Sequence, residues 1–129
     1  MNGNEYDKRY VTEAEAEENT KKWLSETTEG REKVAQATAE IAVDPEFKSC
    51  REQPPVDGRI GVIANPDGTH EDATVLKSTG YDVLNRLALS RLEYEDFGRP
   101  EVPTQYVVNV KVIYKPEECT QAPPAVPPA

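Results

Sequence analysis

Gly58-Arg-Ile-Gly-Val-Ile-Ala-Asn-Pro-Asp-Gly68 is the stretch that decides the fold. Its first half alternates as a strand over 59–64, with Ile60, Val62 and Ala64 on one side and Gly61 and Ile63 on the other. Asn65-Pro-Asp-Gly68 then turns the chain, since proline fixes the first central φ and glycine supplies a positive one. A second extended run over 71–77 completes a hairpin and ends at Ser78-Thr79-Gly80.

Beyond Gly80 the spacing of Leu84, Leu87, Ala88 and Leu92 predicts a helix within 82–93, capped by Asp82 or Asn85. Phe97 follows where the chain leaves the helix. Over 106–114, Tyr106, Val108, Val110, Val112 and Tyr114 alternate with Val107, Asn109, Lys111 and Ile113, which predicts a third strand. The expected core is Ile60, Val62, Leu84, Leu87, Leu92, Phe97, Val108 and Val110.

Upstream, Thr12-Glu-Ala-Glu15 is a capping box that starts a helix running to about Ser25. That helix is polar nearly all round, so Trp23 and Leu24 must anchor it. Gly30 breaks it. A second helix is expected over 31–42, with Val34, Ala37 and Ile41 on one face, ended by Asp44-Pro45. Residues 1–11 read as a disordered lead, 12–43 as a helical region, 44–119 as the folded domain, and 120–129 as a proline-rich flexible tail.

The chain has 129 residues, enough for one domain. Its formal charge of −9 disfavours phosphate backbones and anionic membrane surfaces. No run of 18 apolar residues offers a bilayer span, and the first residues lack the basic start and apolar region of a signal peptide.

Chemistry-bearing patterns are sparse. His70 is the only histidine, and Asp67-Gly-Thr-His-Glu-Asp72 lacks the spacing of a calcium loop, so His70 reads as a solvated surface residue. No spacing suggests zinc, a phosphate loop or a nucleophile elbow. No catalytic residue, metal ligand or cofactor site is assigned, and a non-enzymatic role is expected. Cys50 and Cys119 bracket the folded block. If its first and last strands are neighbours, the two can bridge; otherwise they are separate thiols. A bridge would add roughly 4 kcal/mol in the chain-entropy model and imply an oxidising compartment.

Pro66-Asp67-Gly68, Ser78-Thr79-Gly80, Leu84-Asn85-Arg-Leu87-Ala88-Leu89, Phe97 and the strand over 106–114 together resemble the C-terminal domain of TonB-type energy transducers, over about 56–115. Two departures stand out. The segment from Cys50 to Pro55 replaces the family's Tyr-Pro pair and short helix, and the proline-rich stretch follows the domain instead of preceding it. The resemblance implies an α+β fold: a small three-stranded antiparallel sheet with one packed helix, here preceded by two N-terminal helices. It also implies that the last strand lies at a sheet edge and accepts a partner peptide as an added strand. Tyr106, Val107, Val108, Asn109, Val110, Lys111 and Val112 are then the binding residues. The partner would be a protein or peptide, such as an outer-membrane transporter segment. The location would be periplasmic or envelope-facing, with this chain a soluble fragment of a membrane-anchored protein. The alternative is an accessory scaffold domain with no peptide-binding role.

Overall fold

A computed structural model describes residues 5–44 and 53–114. In chain order the elements are helix α1 (Glu13–Thr28), strand β1 (Ala35–Val43), strand β2 (Gly58–Ala64), strand β3 (His70–Lys77), helix α2 (Asp82–Glu93) and strand β4 (Thr104–Val112). The class is α+β. The sheet has four strands and is mixed, in the order β1-β4-β2-β3. β2 pairs antiparallel with β3 and β4, while β1 pairs parallel with β4.

The hairpin forms as its turn chemistry predicts. Gly68 has φ +88°, and its N–H donates to the Asn65 carbonyl at 2.9 Å. Asp67 braces the turn by accepting from the Thr69 N–H at 2.9 Å. The capping box forms too: the Glu15 N–H donates to Thr12 Oγ1 at 3.2 Å, and Glu15 Oε1 accepts from the Thr12 N–H at 3.4 Å. α1 runs to Thr28, three residues past the expected end. Thr27 and Thr28 close it by donating their hydroxyls to the carbonyls of Trp23 and Leu24, each at 2.7 Å.

The expected helix over 31–42 is instead β1. Its sequence, Ala-Gln-Ala-Thr-Ala-Glu-Ile-Ala-Val, suits either period, and packing decides. As a strand it places Ile41 and Val43 against the α2 side of the sheet, where both are buried. The three expected antiparallel strands thus gain a fourth, parallel one, and a single helix precedes the sheet instead of two. β1 lies in the same sheet as the block after residue 58.

The two helices cover opposite faces. On the first, Ala88 and Leu92 of α2 meet Ile41, Val43, Ile60, Val62, Val108 and Val110. On the second, Trp23 of α1 meets Ile63 and Leu76, with Leu24 and Val107 at the margin. Leu84 is buried as expected, and Phe97 packs against the first core while only partly buried. Leu87 is a correction: it is 42% exposed. It lies roughly 60° from Leu84 around the helix, on the side away from Ala88 and Leu92.

Residues expected to lead disordered into α1 are partly pinned. Tyr6 bridges Tyr81, the Asp7 N–H donates to the Gly80 carbonyl at 2.7 Å, and the Ser78 N–H donates to the Tyr10 carbonyl at 2.7 Å. Neither Asp82 nor Asn85 caps α2. Tyr81 occupies the N-cap, and its hydroxyl donates to the Gln53 carbonyl and does not cap the helix. Cys50, Cys119 and the tail 120–129 lie outside the described residues, and so does the proposed bridge.

Candidate functional site

The strand expected at an edge is an inner strand. β4 is hydrogen-bonded to β1 on one side and to β2 on the other. Ala35 N–H donates to the Pro103 carbonyl at 2.9 Å, and Ile113 N–H to the Val43 carbonyl at 2.9 Å. Because a ladder alternates, these two bonds aim the N–H groups of Val107, Asn109 and Lys111 at β1. Those are the donors that an added peptide would have used. Tyr106, Val108, Val110 and Val112 face α2, and Val108 and Val110 are buried there. Asn109 and Lys111 are exposed on the opposite face, as the sequence pattern implied.

The edges belong to β1 and β3, and they differ. β3 is irregular and guarded. Its pairing with β2 shifts register twice, and Asp72 holds a φ of +56°. Trp23 Nε1 donates to the Asp72 carbonyl at 3.1 Å, and Asn19 Nδ2 donates to the Leu76 carbonyl at 3.2 Å. β1 is regular over nine residues, with unbroken pairing to β4. It contains no proline, no lysine and one charge, Glu40. The same alternation turns the main-chain groups of Gln36, Thr38, Glu40 and Ala42 away from β4. Among the described residues no strand pairs with that side. Proteins ordinarily blunt such an edge with a bulge, a proline or a lysine.

Beside this edge, on the α1 face, lies a charged cleft of about 330 Å³. Glu40, Asn109, Lys111, Arg59 and Lys77 line it, and Glu13 closes its far side. Arg59 is held by Glu13 at 2.5 Å, and this hydrogen bond keeps the Glu13 carboxyl below its ordinary range. Lys77 Nζ donates to the Asp57 carbonyl at 2.8 Å.

Two polar clusters escape the sequence reading, and both are structural. Gln105 is fully buried. Its Nε2 donates to the Leu24 carbonyl at 2.9 Å and to Thr27 Oγ1 at 2.7 Å, tying the end of α1 to β4. Asn85 reaches back from α2: its Oδ1 accepts from the Thr79 N–H at 2.9 Å, and its Nδ2 donates to Ser78 Oγ at 2.9 Å. Ser78-Thr79-Gly80 therefore reads as a strand-to-helix joint. His70 departs from the surface expectation: it is half-buried, its ring 5.1 Å from Phe97, which stacks in turn on Tyr106 at 4.4 Å.

Among the described residues no group of three or more histidines, cysteines or acids could hold a metal ion, and no helix is long and apolar enough to cross a membrane. No family model, no curated protein and no solved structure matches this chain.

Proposed function

We propose that this chain is a non-enzymatic protein-interaction module of the cell envelope, which takes an extended partner segment onto the outer edge of β1. The observation that carries the reading is the contrast between the two sheet edges. β3 is bulged and two of its carbonyls, those of Asp72 and Leu76, are occupied by α1 side chains, whereas β1 presents nine regular residues with one charge. At about 3.3 Å per residue, that edge offers roughly 30 Å of ladder. Main-chain bonds would give affinity, and the side chains alternating along the edge would give selectivity. The envelope assignment is supported by the resemblance of residues 56–115 to the TonB C-terminal domain. Coupling to outer-membrane transport is its narrower form, with a transporter segment as the partner.

The second reading is a scaffold domain. It is favoured by one specific finding: β4, the strand that the resemblance assigns to the partner, is already paired on both sides. An NMR titration of the full chain with extended peptides, transporter N-terminal segments among them, separates the two. Binding at β1 shifts and slows the amides of Gln36, Thr38, Glu40 and Ala42. No shift with any peptide leaves the scaffold reading ahead.

A further inference from the structure

Given β1 as the docking edge, on which this inference rests, the surrounding side chains specify the chemistry of what docks. An added strand presents alternate side chains to the two faces of the sheet. On the α2 side its neighbours are Ala37 and Ala39, both half-buried and small, with Ala39 at the margin of the apolar core. Two adjacent alanines leave room above the sheet for bulky apolar side chains from the incoming strand.

On the other side its neighbours are Thr38, Glu40 and Ala42. Glu40 is exposed, and among the described residues no ion pair or hydrogen bond engages its carboxylate. Ala42 stands in register with Lys111 on β4, and Lys111 is likewise exposed and, among the described residues, without an ion pair. The Ala42 methyl does not screen it. The Lys111 stem can lean over Ala42 towards the edge and meet an acid from an added strand across two strand spacings, about 10 Å. The other two cations of the cleft are occupied, Arg59 by Glu13 and Lys77 by the Asp57 carbonyl. One anion and one cation are thus left beside the edge, two residues apart.

We infer that the partner is an extended amphipathic segment with bulky apolar residues on one side, and on the other a lysine or arginine beside Glu40 and an acid beside Ala42. A second copy of this chain fits poorly. β1 contains no cation to set against Glu40, and two chains of charge −9 repel.

The test uses the full chain and four nine-residue peptides in which valine alternates with polar residues. The two variable polar positions, two residues apart, carry lysine and glutamate, two lysines, two glutamates, or two threonines. The lysine–glutamate peptide should bind about fivefold tighter than the threonine peptide at low salt, as paired cross-strand charges allow. Glu40→Gln should remove the advantage of lysine, and Lys111→Gln that of glutamate. Both changed residues are exposed, and unchanged melting curves would show that the fold is intact. Four peptides binding equally at the β1 amides would overturn this specificity and leave the edge reading standing. No peptide binding at all would remove both.

Discussion

The indole of Trp23 fills the space where a side chain at Gly61 would begin: a Cβ there would stand 2.7 Å from the ring carbons. Glycine on β2 is what lets α1 lie close to the sheet. The ring cannot simply turn aside, because Nε1 is tied to the Asp72 carbonyl at 3.1 Å. Gly61→Ala should therefore cost about 1–3 kcal/mol by overpacking. Urea denaturation followed by the fluorescence of Trp23, the only tryptophan, reads this directly. Wild-type stability in that variant would mean that α1 packs more loosely than the contact implies.

Gln105 should be the most sensitive polar residue of the sheet. It is 0% exposed and joins β4 to the last turn of α1 through Leu24 and Thr27. Gln105→Met keeps the volume but removes the donor, leaving the Leu24 carbonyl without its bond from β4. A loss of about 1–3 kcal/mol is expected. The loss should appear as faster exchange at the C-terminal end of α1 before global unfolding. Uniform protection along α1 in the variant would refute the tie.

Leu84 and Leu87 separate the buried side of α2 from its flank. Leu84 is 1% exposed and Leu87 42%. Leu84→Ala should cost about 2–5 kcal/mol, because it leaves a cavity. Leu87→Ala should stay within about 1 kcal/mol, as for a surface site. Equal losses in parallel denaturation curves would place Leu87 in the core after all.

What the sequence reveals is what local chemistry determines. The turn at Pro66-Asp67-Gly68, the capping box at Thr12 and the leucine spacing of α2 each state their structure within a few residues. β1 does not, because Val34, Ala37 and Ile41 keep a helical period while Ala37, Ala39, Ile41 and Val43 keep a strand period. Only the apolar surface of β4 and α2 decides between them. That single ambiguity displaced the candidate site, since a sheet without β1 leaves β4 at an edge. Gln105 was hidden for a similar reason. It sits between Thr104 and Tyr106, just ahead of the expected strand, and only the end of α1 packed over it makes it a buried residue.

Acid should weaken the links between α1 and the sheet. A side-chain hydrogen bond from Arg31 holds the Glu71 carboxyl below its ordinary 4.5, and one from Arg59 does the same to Glu13. Both groups bind protons more weakly when folded. Their stabilisation is therefore complete above the unfolded value near 4.5 and is lost as pH falls through the lowered folded values. Asp7, lowered to about 2 by its hydrogen bond from Arg9, should add little to the folding balance, because the two residues are close enough in sequence to pair in the unfolded chain. Denaturation midpoints should fall between about pH 5 and 3, and Arg31→Gln should flatten that slope. An Arg31→Gln profile parallel to wild type would exclude the Glu71 pair as a contributor.

Two proline substitutions at adjacent residues of β1 test the docking edge. The N–H of Thr38 turns away from β4, whereas that of Ala39 turns towards it and belongs to the ladder. Thr38→Pro removes an outward donor and spares the pairing with β4, and edge strands tolerate such a proline. Ala39→Pro removes a ladder bond inside the sheet. Thr38→Pro should therefore keep most of the stability and lose peptide binding, while Ala39→Pro should lose about 3 kcal/mol or more of stability. Thermal melts and a peptide titration on each variant resolve the two effects. A stable Thr38→Pro variant that still bound peptide with wild-type affinity would show that the partner docks elsewhere, and the β1 edge would then be a structural boundary only.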